Sequence, residues 1–252
     1  MTDLSGMHVF IAGGSRGIGA SAAQIAASKG AMVTVTYRDR ADAAETVVSA
    51  IRAAGGRAQA LKADVVNEHE IRDAMRTASA AFGPIRGVVV SAGVFEHCGI
   101  DAMSAAFWQR TMDINLTGTM WTVKAASEQL QKAGGGSIVI YTSTAGQSGG
   151  GDGAAAYCVS KAGQIMFSKC MAMELAKHKI RVNCIAPAWT ETDMAAASIE
   201  RLGRDAVAKS FPLGRIGLPK DIAQATCFLL SADAEFITGT TVTVDGGIAM
   251  RG

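Results

Sequence analysis

Gly13-Gly14-Ser15-Arg16-Gly17-Ile18-Gly19 follows the apolar run His8–Ile11 and opens Ile18–Lys29, an Ala-rich stretch of helical character. The order strand, glycine turn, helix decides the fold. Gly13, Gly17 and Gly19 supply a tight turn, a backbone able to approach a pyrophosphate, and close packing of the helix on the strand. The helix start adds free N–H donors at the positive end of its dipole. The spacing differs from G-x-G-x-x-G, and glycine turns also join strands to helices in proteins that bind no nucleotide. Its place between strand and helix favours nucleotide binding.

Working outward, short Val- and Ile-rich runs alternate with longer helical segments. Met32–Thr36, Ala58–Lys62, Gly87–Ser91, Ser137–Thr142, Ile180–Ala186 and Thr241–Val244 join His8–Ile11 as strands. Ala41–Ala54, Glu68–Phe82, Phe107–Lys132, Ala155–Lys177 and Lys220–Ser231 read as further helices. Such alternation requires crossovers and predicts a parallel sheet covered on both faces. The expected class is α/β, a doubly wound Rossmann-type sheet in a single domain spanning 1–252. Ala188–Leu213 carries broken helical periodicity after a strand, and is expected to be a substrate lid in preference to a pair of short surface helices.

The chain has 252 residues, 49% of them hydrophobic and 18% charged, enough apolar mass for a sizeable core. A net charge of +2 gives no electrostatic footprint for nucleic acid. Apolar runs such as Ile138–Tyr141 are too short for a membrane span, and Met1–His8 lacks the pattern of a secretory signal. Five cysteines without a C-x-x-C pair suggest reduced core thiols and a cytoplasmic setting. His8 and His69 read as surface residues. Glu96-His97-Cys98 is not read as a metal site, because three consecutive residues rarely converge on one ion.

Tyr157 and Lys161 stand four apart on one predicted helix, so they share a face. A phenol titrates near pH ~10, and a neighbouring ammonium lowers that value. Ser143 ends a fully apolar strand near the start of this helix, and a small-residue loop could fold its hydroxyl beside the phenol. Asn115 is a polar amide on a semi-apolar helix face, which invites a partner. Each has a bland structural reading when taken alone.

Together, in this order, the residues resemble the short-chain dehydrogenase/reductase family over essentially the whole chain. The similarity runs from the glycine turn through Asp64-Val65, Ser91-Ala92-Gly93, Asn115 and Ser143. It continues through Tyr157-x-x-x-Lys161, Arg181-Val182-Asn183, Pro187 and Thr192 to Asp245-Gly246-Gly247. It is nearest to the β-ketoacyl-acyl-carrier-protein reductases and the sugar and hydroxy-acid dehydrogenases beside them. The resemblance implies about seven strands and an NAD or NADP cofactor. It makes Tyr157 the proton donor, with Lys161 lowering its pKa and holding the nicotinamide ribose. Ser143 would bond the substrate oxygen, and Asn115 would carry an ordered water. Gly13, Ser15, Arg16, Gly17, Ile18 and Gly19 would hold the phosphates, Asp64 and Val65 the adenine, and Ser91, Ala92 and Gly93 the floor. Pro187, Thr190 and Thr192 would meet the nicotinamide. Tyr37 and Arg38 stand where NAD enzymes of the family place an acid, so NADP is expected, with Arg16 and Arg38 flanking its 2′-phosphate.

Ala12, Ser91 and Ala188 depart from the usual residues, and the Ser143–Tyr157 loop is one residue longer than usual, leaving Thr142 and Thr144 as rivals to Ser143. An acyl carrier protein would dock where this chain has Gly134 and His178, with Lys132, Lys177 and Lys179 nearby. The family implies a homotetramer. The alternative to an enzyme is a non-catalytic dinucleotide-binding regulatory module.

Overall fold

The computed structural model describes residues 2–251. Its strands are β1 (His8–Ala12), β2 (Met32–Tyr37), β3 (Arg57–Lys62), β4 (Ile85–Val90), β5 (Gly136–Tyr141), β6 (Ile180–Pro187) and β7 (Thr241–Val244). They form one seven-stranded sheet in the order β3-β2-β1-β4-β5-β6-β7, and all neighbouring pairs are parallel. The chain winds outward from β1 to β3, then returns to β4 on the other side of β1. That reversal opens a crevice at the carboxyl ends of β1 and β4, where ligands bind in open sheets of this kind.

Helices cover both faces. α1 (Gly17–Ser28), α2 (Ala41–Ala53) and α10 (Pro219–Leu230) lie over one, and α3 (Glu68–Phe82), α5 (Gly118–Lys132) and α7 (Ala155–Leu175) over the other. Successive strand residues point to opposite faces, so each strand feeds two cores. Val9 and Ile11 of β1 join Ala22, Val48 and Ile222, while Phe10 joins Ile71, Met75 and Leu130. Local signals set the helix ends. Asn67 caps α3 by accepting from the His69 and Glu70 N–H groups, and Gly83 at φ +81° ends it.

Three expectations need correction. The helix read as Phe107–Lys132 is interrupted. It begins as α4 (Ala105–Met112), passes through a π turn at Asp113–Thr117, and resumes as α5. A π turn keeps the rod continuous and leaves no glycine or proline mark, so hydrophobic periodicity passes over it. His8 is buried, not a surface residue: its Nδ1 lies 2.9 Å from the Gly83 carbonyl and its Nε2 3.0 Å from Thr34 Oγ1. Of the five thiols only Cys184 and Cys227 are buried; Cys98 and Cys158 are half-buried and Cys170 is exposed.

After β5 comes a single turn, α6 (Ala145–Ser148), which leads into α7. Residues 188–213 fold largely as two short helices, α8 (Asp193–Leu202) and α9 (Arg204–Ser210). They enclose a small core of Ile199, Val207, Phe211 and Ile216, against which Trp189 packs. Among the described residues, no helix is long and apolar enough to cross a membrane.

Candidate active site

The glycine turn is shaped by neighbours that leave no room for a side chain. Gly13 has φ +82°, and a Cβ there would stand 2.7 Å from the Ala92 backbone. A Cβ on Gly19 would stand 2.4 Å from the Gly13 carbonyl. Thr36 of β2, which sequence reading missed, holds the turn: its Oγ1 accepts from the Gly13 N–H and its carbonyl from the Gly14 N–H. Opposite, the Ser91 and Ala92 N–H groups both donate to the Ala12 carbonyl, so backbone bonds tie the strand ends where Ala12 and Ser91 depart from the family.

α1 starts at Gly17 with no side-chain cap and no acidic residue in its first turn. Its opening N–H groups are therefore free to face an anion. Ser15 and Ile18 flank the turn half-buried, and Arg16 is exposed. Across the crevice, Thr192 Cγ2 lies 3.4 Å from where a Gly17 Cβ would be. Thr190 is buried and Pro187 ends β6, so these residues form the far wall.

On the other flank Val65 is buried, and Asp64 Oδ1 accepts from the Val66 N–H at 3.1 Å. Tyr37 is half-buried at the end of β2, while Arg38 is exposed and pairs through Nε with Asp39 Oδ2 at 2.6 Å. An open cleft of about 720 Å³ lies between Arg38, Val66, Arg110 and Ile114.

The polar centre lies where β5, the π turn and α7 meet. Lys161 is buried and its Nζ donates to the Tyr141 carbonyl at 2.8 Å, 5.5 Å from the centre of the Tyr157 ring. Burial drives the Lys161 ammonium down to about 8 and pushes the Tyr157 phenol up to about 12, the Ser143 hydroxyl pulling the phenol back. The phenol is thus protonated at neutral pH, raised by burial contrary to the lowering expected from Lys161. The rival hydroxyls point elsewhere: Thr142 Oγ1 donates to the Ile185 carbonyl and Thr144 Oγ1 to that of Pro187. Ser143 Oγ accepts from the Ala145 N–H at 3.1 Å, on the side of the phenol where its hydroxyl eases the upward shift.

Asn115 is excluded from solvent. Its Oδ1 accepts from the Val94 N–H at 2.8 Å, and its Nδ2 donates to the Val94 carbonyl and to Ser160 Oγ. A Cβ on Gly93 would stand 3.2 Å from Asn115 Oδ1 and 3.6 Å from Lys161 Nζ, so this glycine leaves a small polar chamber between them. Phe95 meets the Tyr157 ring edge to face, with centroids 5.0 Å apart. His97 lies against Gly153, and Glu96 pairs with Arg110 at 2.6 Å. Ser160, Thr119 and Gln164 also belong to this centre and were missed, because nothing in their spacing marks them without the π turn.

The arrangement offers a protonated phenol, a hydroxyl beside it, an ammonium behind it, and a glycine cradle with free N–H donors. Such a set suits proton transfer beside a dinucleotide. A family model described as enoyl-(acyl carrier protein) reductase matches residues 12–249. A 3-oxoacyl-[acyl-carrier-protein] reductase of Synechocystis is 38% identical, covering 99% of this chain and 100% of its own. Short-chain reductase protein NovJ of Streptomyces niveus is 37% identical over 94% and 92% of the two chains. The solved structure of a short-chain type dehydrogenase/reductase from Mycobacterium ulcerans superposes with a TM-score of 0.92. It is 33% identical and covers 98% of this chain and 91% of its own.

Proposed function

The chain belongs to the short-chain dehydrogenase/reductase family of oxidoreductases, and from that membership we propose that it is an NADP(H)-dependent carbonyl reductase with 3-oxoacyl thioesters as its substrate class. The observation that carries the reading is the Ser143–Tyr157–Lys161 arrangement: a protonated phenol with a serine hydroxyl near it and a buried ammonium anchored behind its ring.

The glycine cradle fits a dinucleotide, since Cβ atoms at Gly13 and Gly19 would close it and the uncapped start of α1 offers donors to a pyrophosphate. When bound, the cofactor supplies the hydride. Arg16 and Arg38 support NADP, both exposed at the rim with no acid at Tyr37 to repel a 2′-phosphate. Thr192 and Pro187 would hold the nicotinamide end.

Ser143 Oγ bonds the substrate carbonyl oxygen and orients it toward Tyr157. The Tyr157 hydroxyl donates its proton to that oxygen, and the Lys161 ammonium stabilises the resulting phenolate. Asn115 has both N–H groups and one Oδ1 lone pair engaged, leaving one lone pair for a water in the Gly93 chamber. Phe95 and the α8–α9 segment wall the substrate, the latter as a lid. The thioester class rests on the likeness to the Synechocystis 3-oxoacyl-[acyl-carrier-protein] reductase. Lys132, Lys177 and Lys179 are exposed and would meet an acidic carrier protein. A homotetramer in the cytoplasm completes the reading.

The test is NADPH oxidation with acetoacetyl thioesters, cyclic ketones and keto sugars side by side. Thioester turnover exceeding the others supports the assignment. Tight NADPH binding with no turnover of any substrate returns the chain to a regulatory module.

A further inference from the structure

The π turn that carries Asn115 is held from behind by a closed set of side-chain hydrogen bonds. Gln164 on α7 donates through Nε2 to the Asn115 carbonyl at 2.7 Å and to Thr119 Oγ1 at 2.6 Å. The Thr119 hydroxyl donates to the same carbonyl at 2.7 Å. Gln164 and Asn115 are fully excluded from solvent and Thr119 nearly so.

These partners fix the orientation of the Gln164 amide. The carbonyl can only accept, and Thr119 already directs its hydrogen to that carbonyl, so the NH₂ group must face both. Gln164 Oε1 is left buried without a partner. Methionine would fill the same space without an unpaired acceptor, so the donors explain the amide and packing does not. Those donors meet the backbone of the one residue whose side chain ties Val94 to Ser160.

We propose that Gln164 is a positioning residue that clamps the π turn, keeping the Asn115 amide fixed against Val94 and Ser160 and the wall beside Lys161 closed. As a statement about turnover it rests on the carbonyl-reductase reading; as a statement about Asn115 it does not. Facing Lys161 are Tyr157 on its own helix and the Cys184 thiol of β6, with the neutral Asn115 amide and the Tyr141 carbonyl completing the wall. Burial holds the Lys161 ammonium low, so a loosened wall that admits water raises its pKa.

The experiment compares the full chain with Gln164→Met, without cofactor and then in turnover. Amide hydrogen exchange at Val94, whose N–H bonds Asn115 Oδ1, rises by about tenfold or more while Val139 in β5 keeps its protection. In turnover, kcat falls by about tenfold with KM within about twofold, and the alkaline limb of the pH profile moves upward. Parent-like exchange at Val94 in the folded variant overturns the proposal whatever the turnover. Faster exchange with unchanged kcat and an unmoved alkaline limb overturns the positioning role. If Gln164→Met does not fold, Thr119→Val removes the second donor to the same carbonyl and is read in the same way. If the parent reduces no carbonyl, the functional reading fails, and the exchange measurement still decides the clamp.

Discussion

The roles proposed for Tyr157 and Arg38 rest on single atoms, and each can be tested by removing those atoms. Tyr157→Phe keeps the ring against Phe95 and deletes the proton donor. General acid–base groups contribute about 10²–10⁴ in rate, so kcat falls by that range while cofactor affinity, read by fluorescence titration, holds. Parent-like turnover would remove Tyr157 from the mechanism. Arg38 is steadied by Asp39 through Nε, which leaves its terminal nitrogens for a phosphate. A charged hydrogen bond contributes about 1.5–3 kcal/mol, so Arg38→Ala weakens NADPH by about tenfold to a hundredfold and leaves NADH nearly unchanged. Equal losses for both cofactors would refute the 2′-phosphate contact. At this scale the sequence named Ser143, Tyr157, Lys161 and Asn115 through the order in which they follow the glycine turn, the order that carries the family resemblance, since each alone has a bland structural reading. It left Ser143 in competition with Thr142 and Thr144, since only the fold shows which hydroxyls are turned to β6 carbonyls. Gln164 and Thr119 stayed hidden for a related reason: their partner is a backbone oxygen, and no side-chain pattern announces one.

At the scale of elements, the glycine turn was legible because strand, turn and helix each leave a separate mark, and the π turn was not because it leaves none. Its exit shows how tightly the elements are fitted. A Cβ on Gly118, at the start of α5, would stand 2.9 Å from Val65 Cγ2 and 3.2 Å from the Val65 carbonyl. Gly118→Val forces branched carbon into that contact, and overpacking of this kind costs about 1–3 kcal/mol. The small gain in helix propensity does not offset it. The thermal midpoint falls by about 2–4 °C for each kcal/mol lost, and NADPH binding weakens as Val65 is displaced. An unchanged midpoint with parent affinity would show that α5 can slide away from the loop after β3. The segment after β6 was legible as irregular and a pair of short helices was the second reading there, but the bounds of α8 and α9 were not legible. Their core of Ile199, Val207, Phe211 and Ile216 spans both helices and Ile216 beyond them, too spread for one periodic pattern.

Across the whole molecule, the two cores of alternating strand residues make the α/β class readable from seven apolar runs. Assembly is written on the outside. Val159, Met166 and Met173 form an exposed apolar stripe along α7, with Met173 85% exposed. Burying such a stripe against a second copy fits a two-fold contact within the proposed homotetramer, so light scattering at micromolar concentration is expected to give a tetramer, with Met166→Glu shifting it toward smaller species. A monomeric parent would contradict this. The opposite rim of the sheet predicts a response to acid. His8 has its pKa lowered by burial, with the Gly83 hydrogen bond opposing and the Arg57 charge assisting. Because the unfolded chain takes up the proton first, stability is full above the ordinary histidine range and declines as pH falls below about 6.5. Melting temperatures taken from pH 7.5 to 5 therefore drop, and His8→Asn flattens the drop; an identical slope in both chains would clear His8.

His8 stands at the amino end of β1, whereas Tyr157 and Lys161 lie at the carboxyl ends of the strands. On these predictions one rim of the sheet governs how long the protein endures acid, and the other the pH at which the proposed chemistry runs. Endurance and working range can drift apart between descendants of this chain, and a breeder of enzymes could retune His8 for storage without touching the chemistry.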